Sequence, residues 1–405
     1  MPGADQLVEH LFRHQAGRIT ATLTRQFGSS QFDLVEDAVQ EALISALRVW
    51  PIAGIPISPE GWLLATARNR AIDRFRRNAK QSQQTGQFWL TLASTPLPEV
   101  PFPDDTLTLL FLCCHPALSE EVRLAIMLKS VCGFSVEEIA WSFVAAPQTI
   151  AQRLVRAKRL IRESNLQFAM PSNAELPSRR ATVLKAIYLL FNEGHTRLRF
   201  DLCQEAIRLT EMLLADPRTN CPEADALAAL CLLSAARMPA REFAGELLSL
   251  EEQDRTLWNQ ALLRRGFLHF IQCARGDEET IFHLEAALAA EHAKAPSFAQ
   301  TDWIAIAALY ERLLEKNDSP IVAINRAIAI GHALNAHAAH RELLKLDGDP
   351  RLRHSPLLDA AWAWTWRELG NSENARISTQ QAIAKSASEM ERQYLRKLMN
   401  ARANS

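Results

Sequence analysis

Apolar residues return every three to four positions along almost the whole chain. One segment places Ile150, Leu154, Ala157 and Ile161 on a single helical face. A second segment does the same with Leu63, Ala67, Ala71 and Phe75. No segment shows convincingly the alternation of apolar and polar residues that a half-buried strand requires. The pattern therefore predicts an all-α protein.

Two proline-rich stretches divide this helical pattern into three parts. Thr91–Asp105 holds four prolines, which a helix cannot accommodate, and Met170–Ser178 holds two. The divisions predict a first helical domain at residues 1–80 and a linker at 81–103. A second domain follows at 104–164, then a linker at 165–180 and a helical extension at 181–402.

The extension is rich in Ala and Leu and contains helix pairs at loose spacing. The clearest pair covers Leu357–Lys385, where Gly370 closes one helix and Ala375 and Ala382 stand seven apart on the next. Small residues let paired helices approach closely, so this part is similar to a tetratricopeptide repeat (TPR). The alternative is a helical domain with no ligand of its own.

Ser135–Ile161 has the pattern of a helix-turn-helix. Ser135 predicts a helix N-cap with Glu138 as its capping-box partner, and Pro147 suits the first turn of the second helix. The face opposite the apolar one carries Gln148, Gln152, Val155, Arg156 and Arg159, with Thr149 and Arg153 on its flank. Gln and Arg side chains suit base edges in the major groove, while Thr and Arg suit phosphates. The alternative is a basic, solvated helix of an ordinary bundle.

A basic helix and an acidic helix lie upstream of this motif. The basic helix begins at Trp62. Its one acidic residue is Asp73, and its six basic residues are Arg68, Arg70, Arg74, Arg76, Arg77 and Lys80. Together with the loop Pro51–Pro59 it suits unstacked bases, which bind aromatic and basic groups. The acidic helix covers Asp33–Trp50 and carries Glu36, Asp37 and Glu41 beside Gln40. These acidic residues suit a basic partner. Each helix is also open to a simpler interpretation as a solvated surface.

The bulk composition adds limits to these interpretations. The chain has 405 residues and a net charge of −1, so DNA binding has to rest on local basic surfaces or on a partner. The seven cysteines are odd in number and scattered, which favours reduced thiols in a cytoplasmic protein. Neither a secretory leader nor a membrane span is expected.

Three chemically suggestive groups do not complete an active or metal site. The cysteines of Cys113–His115 are adjacent, which suits one tetrahedral metal site poorly. Asn192–His195 has no nucleophile or phosphate loop nearby, and Gly194 predicts a helix C-cap. The polar motif Glu252–Trp258 predicts a structural network or an interdomain contact. We therefore expect no enzymatic activity, no cofactor and no metal.

Together and in this order, these features resemble the extracytoplasmic-function (ECF) sigma factors, the promoter-specificity subunits of bacterial RNA polymerase. The resemblance implies that the acidic helix docks on the clamp coiled coil of the polymerase β′ subunit through Glu36, Asp37, Gln40 and Glu41. It implies that the −10 promoter element is opened and read by Trp62, Arg68, Asn69, Asp73, Arg76 and Arg77. It implies that the −35 element is bound by Gln148, Thr149, Ala151, Gln152, Arg153, Val155, Arg156 and Arg159.

Further motifs resemble one ECF subgroup that carries a long TPR-like C-terminal extension. They include Phe111–Leu118, Tyr188–Gly194, Leu250–Trp258, Thr301–Trp303 and Ser319–Arg326. The resemblance implies control in cis by the extension, contact with the polymerase β subunit as well as β′, and no membrane partner. It also implies that a soluble regulator or a YCII-like (DGPF) protein acts on the extension. A stand-alone helix-turn-helix regulator and a TPR-type interaction scaffold remain as alternative functions.

Overall fold

Eighteen α-helices and one hairpin of two-residue strands make up the part of the chain that the structure describes, which confirms the predicted all-α class. The structure is a computed structural model that describes residues 4–79, 104–143, 145–164, 166–243, 245–386 and 389–400, with the backbone alone for 4–14, 78, 79 and 400. The expected linker at 81–103 lies outside these residues. None of the described helices is long and apolar enough to cross a membrane.

The chain divides into two units, Met1–Arg197 and Leu198–Ser405. The described helices of the first unit are α1 (Ala4–Phe27), α2 (Phe32–Ala53), α3 (Pro59–Ala79), α4 (Thr106–Cys113), α5 (Glu120–Ser130), α6 (Val136–Ser142), α7 (Pro147–Glu163) and α8 (Leu176–Thr196). A 3₁₀ turn, Ser29–Gln31, joins α1 to α2.

Helices α1, α2 and α3 pack around one hydrophobic core. The inward positions predicted on α3, which are Leu63, Ala67, Ala71 and Phe75, are all buried. They belong to the same cluster as residues of α1 and α2 that include Ile19, Leu23, Val35, Val39 and Trp50. The period of the sequence thus determines which face of α3 is buried and leaves the opposite face exposed.

Helices α4 to α7 form a second group in the same unit. Ser135 and Glu138 make the predicted capping box at the start of α6, because each side chain accepts a hydrogen bond from the other residue's backbone N–H. Pro147 occupies the first turn of α7. The predicted apolar face of α7 is buried, and Leu154 is its most exposed member at 6%. At about 1.5–3 kcal/mol for each buried Leu or Ile side chain, this face holds α7 against its neighbours.

The two helical groups of the first unit lie in direct contact. Gly17 of α1 approaches the C-terminal end of α5 so closely that a Cβ atom there would lie 2.3 Å from the carbonyl oxygen of Val131. Arg25 of α1 forms an ion pair with Asp105, just before α4. The Ser29 hydroxyl donates a hydrogen bond to the carbonyl oxygen of Leu166. Both steric fit and polar contacts therefore connect the groups.

Helix α8 completes the first unit. Arg179 donates a 2.7 Å hydrogen bond to the carbonyl oxygen of Phe111 in α4, and Lys185 pairs with Glu120 at the start of α5 at 2.6 Å. These contacts explain why the first unit extends to Arg197, whereas the sequence placed 165–180 in a linker and began the extension at 181. The predicted C-cap at Gly194 was wrong. The helix continues to Thr196, and the residue in the left-handed region is Leu198 with φ 54°.

The second unit contains ten described helices and the hairpin. The helices are α9 (Phe200–Ala215), α10 (Pro222–Ala236), α11 (Gln260–Cys273), α12 (Ile281–Lys294), α13 (Trp303–Lys316), α14 (Pro320–Ala333), α15 (Ala336–Leu344), α16 (Pro356–Glu368), α17 (Ser372–Lys385) and α18 (Glu389–Asn400). Strands β1 (Glu242–Phe243) and β2 (Glu246–Leu247) pair antiparallel, and short 3₁₀ turns cover Met238–Ala240, Arg255–Leu257, Phe298–Gln300 and Pro350–Leu352.

Neighbouring helices of the second unit pack as pairs, most extensively α10 with α11, α13 with α14, and α16 with α17. The last pair occupies the segment where the sequence predicted one. Gly370 lies between its helices with φ 75°, and Ala375 and Ala382 are buried. Gly331 of α14 marks another close approach, since a Cβ atom there would lie 2.6 Å from the Trp364 ring.

Candidate functional site

The acidic residues of α2 are paired within the first unit. Glu36 is only 2% exposed, and its Oε1 accepts a 2.5 Å hydrogen bond from the Ser130 hydroxyl at the end of α5. Its Oε2 lies 2.7 Å from the Nζ of Lys158 on α7. The same ammonium lies 2.9 Å from Asp33 and 3.6 Å from Asp37. Lys158 is therefore the cation at the centre of three α2 carboxylates.

The electrostatics of Lys158 favour a permanent charge. Burial alone would lower the pKa of Lys158, but the carboxylates of Glu36 and Asp33 outweigh burial and raise that pKa above its ordinary value. Because the pKa of Lys158 is raised in the folded protein, its ion pairs stabilise the fold fully at pH values below the ordinary lysine pKa. This stabilisation is lost only as pH rises through the raised pKa. The contact between α2 and α7 is therefore charged throughout the neutral range.

Arginines of α3 cover the rest of the acidic face. Arg74 donates a 2.8 Å hydrogen bond to Asp37 and also pairs with Glu41, while Arg70 lies 3.1 Å from Glu41. The hydrogen bond from Arg74 lowers the pKa of Glu41 against the opposing effect of burial. Gln40 is half-buried. Of the four predicted polymerase-binding residues, the structure thus places three in ion pairs, with Glu36 enclosed.

An exposed apolar strip continues from the acidic face of α2. Ile44 and Leu47 lie four and seven residues beyond Gln40, which puts all three on one side of the helix. They are 47% and 54% exposed. Exposed apolar residues also line the Pro51–Pro59 segment, namely Ile52, Ile55 and Ile57. The predicted polymerase-binding residues do not include this strip, although its helical spacing from Gln40 is visible in the sequence.

The predicted −10 residues divide into an exposed and a buried set. Asn69, Asp73, Arg76 and Arg77 lie exposed on α3. Arg77 donates a 3.3 Å hydrogen bond to the backbone carbonyl of Asp73, which leaves most of its guanidinium available.

Trp62 and Arg68 belong to the packed side of this region. Trp62 is half-buried, and its ring meets Trp50 edge to face with centroids 5.6 Å apart. Arg68 is only 6% exposed, and burial lowers its pKa. In this arrangement Arg68 supports the interior of the helical group and is not part of its outer face.

The predicted −35 residues form one continuous outer face of α7. Arg153 is half-buried. The other predicted residues are exposed, namely Gln148, Thr149, Ala151, Gln152, Val155, Arg156 and Arg159. Val155 is 67% exposed, so its apolar side chain is accessible on the basic outer face of α7. An apolar group flanked by Gln152 and Arg156 can contact a thymine methyl while its neighbours hydrogen-bond to base edges.

The other chemically suggestive groups make structural contacts. Cys113 and Cys114 are buried, and burial raises the pKa of both thiols. Within the described parts of the chain, no three His, Cys, Asp or Glu side chains come together as a metal site. In the polar motif of the second unit, Glu252 bonds to Ser249 and Asp254 caps the 3₁₀ turn that follows it.

Comparisons with known proteins assign families to three segments. The Sigma-70 region 2 model matches residues 11–81, the Sigma-70 region 4 model matches residues 108–161, and the Family of unknown function (DUF6596) model matches residues 179–274. The chain is 34% identical over 379 residues to the Uncharacterized protein R00370 of Rhizobium meliloti (strain 1021), which covers 90% of this chain and 89% of that protein. No solved structure matches the chain.

The family matches coincide with the elements described above. Region 2 corresponds to α1–α3 with their basic outer face, region 4 to α4–α7 with the helix-turn-helix, and the DUF6596 segment begins within α8. The matched regions thus occur in the order that the sequence motifs predicted. The chain belongs to the ECF-like sigma factors with a C-terminal extension, and residues 179–274 match the DUF6596 family.

Proposed function

We propose that this protein binds core RNA polymerase and directs it to promoters by contacting the −10 element through α3 and the −35 element through α7. The sigma regions 2 and 4 carry the general function of promoter recognition. The single observation that supports the residue-level proposal is the continuous exposed face of α7, where Gln152, Val155 and Arg156 are free to approach DNA. The −10 contacts would come from Asn69 and from the exposed arginines of α3.

Polymerase docking would use the open side of α2. Gln40, Ile44 and Leu47 present polar and apolar surface that no described helix covers, and such a mixed surface suits a stable protein interface. The proposed partner surface is the clamp coiled coil of β′, with the β subunit receiving region 4. Asp37 and Glu41 would exchange their internal arginine partners for basic groups of polymerase.

Promoter binding would require the two sigma regions to separate. The −10 and −35 elements lie about 25 base pairs apart, which is roughly 85 Å of B-DNA at 3.4 Å per step. Regions 2 and 4 instead touch in this structure, with Lys158 and Glu36 only 2.7 Å apart. We therefore propose that this contact represents a closed state in which Glu36 is hidden from polymerase.

The C-terminal unit is the proposed regulator of that separation in cis. Helix α8 packs on α4 and α5 through Arg179 and Lys185, and the chain passes directly from α8 into the second unit at Leu198. A conformational change in the second unit would therefore have a short covalent route to region 4, through Arg197 and α8. The TPR-like character of the unit fits a binding role, and a soluble regulator or a YCII-like (DGPF) protein is the proposed partner. No catalytic step is part of this proposal.

Transcription from a reconstituted holoenzyme tests the proposal. The full chain, mixed with core polymerase, is expected to yield transcripts whose start sites share −10 and −35 motifs. Arg156→Ala should weaken transcription, whereas Arg264→Ala, at an exposed arginine of the second unit, should not. Tight promoter binding by the chain alone, without any binding to polymerase, would favour the stand-alone regulator instead.

A further inference from the structure

Two arginines of the second unit converge on one tryptophan. Arg237 follows α10, and Arg255 lies in the 3₁₀ turn just before Trp258. Their guanidinium carbons lie 5.7 Å and 4.4 Å from the centroid of the Trp258 ring, which is itself 3% exposed. The face of the indole ring attracts each guanidinium. The two like charges nevertheless lie close together, and their mutual repulsion is unfavourable unless something offsets it.

These charges have no acidic partner in the part of the chain that the structure describes. Among the described residues, neither Arg237 nor Arg255 forms an ion pair with a carboxylate. Arg255 donates through one terminal nitrogen to the backbone carbonyls of His292 and Ala295, at 2.9 Å and 2.6 Å. Its other terminal nitrogen is buried without a hydrogen-bond partner, and so are the Nε of Arg237 and the indole Nε1 of Trp258. These three groups of the arginines and the tryptophan are donors, and the Nδ1 of the neighbouring His292, which is also buried without a partner, can donate or accept. An acceptor is therefore the group that would satisfy the arginines and the tryptophan.

The surrounding side chains reinforce this polarity. Burial lowers the pKa of Arg237 to about 10, with further contributions from the neighbouring charges of Arg241 and Arg255, so Arg237 still carries its charge near neutral pH. Burial and the same two cations, Arg237 and Arg255, lower the pKa of His292 to about 3, so this ring is neutral. Burial raises the pKa of Tyr310 to about 12, which keeps its hydroxyl protonated. The cluster is net cationic and rich in donors.

A series of aromatic rings leads away from the cluster. His292 contacts Trp303 with ring centroids 5.6 Å apart, Trp303 stacks on His332 at 4.4 Å, and His332 lies 4.7 Å from Trp364. All four rings are half-buried, so each retains accessible surface. A flat or apolar group attached to an anion would find stacking partners along this series.

We propose that the cluster of Arg237, Arg255 and Trp258 is a binding site for a small molecule that carries a carboxylate or a phosphate group. The planar guanidinium fork recognises both oxyanions, and a charge-assisted hydrogen bond to each arginine would satisfy donors that the fold leaves unpaired. Water would supply acceptors but no charge, so it would leave the repulsion between the two cations in place. The site gives the C-terminal extension a ligand class, and it extends the proposed function by making that ligand a signal.

Thermal unfolding of the full-length protein tests the proposal, with inorganic phosphate, benzoate or chloride at equal ionic strength. The Tm of the unmodified protein should rise with the logarithm of phosphate or benzoate concentration, because a ligand that binds only the native state stabilises it. Arg237→Met should abolish this rise and weaken binding by about 10–100-fold in titration calorimetry. Arg264→Met, the same substitution at an exposed arginine of the same unit, controls for general salt effects on protein stability.

The chloride condition separates a ligand site from a structural arginine. If the Arg237 charge awaits a ligand, then Arg237→Met should unfold in chloride at the same temperature as the unmodified protein or at a higher one, since it removes an unpaired buried cation. A lower Tm of Arg237→Met in chloride would contradict the proposal, because the charge would then already have its partner. An equal response of the unmodified protein and Arg237→Met to both anions would also overturn it. Because no polymerase is involved, failure here leaves the proposed sigma activity untouched.

Discussion

Replacement of Lys158 by methionine should shift the first unit towards the open state. The side chain of Lys158 is 17% exposed, and its ammonium lies 2.7 Å from the carboxylate of Glu36, whose side chain is 3% exposed. Removing one partner of a buried ion pair leaves an uncompensated charge, at a cost of about 3–5 kcal/mol. Loss of the contacts to Asp33 and Asp37, which are both 47% exposed, adds only about 0–1 kcal/mol. Because Lys158 is not fully enclosed, we take about 3 kcal/mol as the expected change.

This energy acts on the contact between regions 2 and 4. At 1.4 kcal/mol for each factor of ten, about 3 kcal/mol corresponds to an increase of roughly 100-fold in the ratio of open to closed molecules. If polymerase binds only the open state, its apparent Kd should fall by the same factor until the open state dominates. The expected result for Lys158→Met is therefore polymerase binding that is tighter by about 10–100-fold.

Equilibrium titration of core polymerase with fluorescently labelled full-length protein measures this change. Lys158→Arg retains the positive charge and is the matched control, with affinity close to that of the unmodified protein. Energy transfer between dyes on α2 and α7 gives an independent measure of separation. The raised pKa of Lys158 also predicts no opening between about pH 6 and pH 9. Unchanged or weaker polymerase binding by Lys158→Met, with the protein still folded, would refute the idea that this contact hides the docking face.

Three further predictions concern the same unit. Leu47→Asp should weaken polymerase binding by more than about tenfold, because it places a charge in an apolar contact surface. Leu268→Asp, at a 60% exposed leucine of the second unit, should leave polymerase binding unchanged. Equal binding by the two variants would show that α2 is not the docking surface. Gly17→Ala should increase the distance between dyes on α2 and α7, measured by energy transfer, because the new Cβ would collide with the Val131 carbonyl oxygen. An unchanged distance would mean that the helices adjust without separating. Gln152→Ala should reduce the discrimination between bases at one position of the −35 element by about 1–3 kcal/mol, as measured by selection from randomised promoters. An unchanged base preference would mean that Gln152 does not contact the bases.

Helical period alone predicted which faces of the main helices are buried. The apolar faces of α3 and α7 are inside the fold because a spacing of three to four residues specifies a side of a helix without reference to the rest of the chain. The capping box at Ser135 and Glu138 is equally local, and it too was predicted correctly.

Features that depend on distant parts of the chain were not predictable in the same way. The Lys158–Glu36 contact joins residues more than a hundred positions apart, and neither residue differs locally from its charged neighbours. Arg68 stands among exposed arginines in the sequence, yet the packing of α3 places it inside. Gly194 suggested a helix end, but it is buried within α8, which continues to Thr196.

Transcription by core polymerase reconstituted with the full-length protein tests the central claim most directly. The template pool would consist of genomic fragments, and start sites would be mapped with and without the protein. If the protein is a sigma factor, new start sites should share one −10 motif and one −35 motif at a fixed spacing. They should be lost when Arg156 and Gln152 are both replaced by alanine. Start sites identical to those of core polymerase alone, despite a folded protein, would contradict the claim.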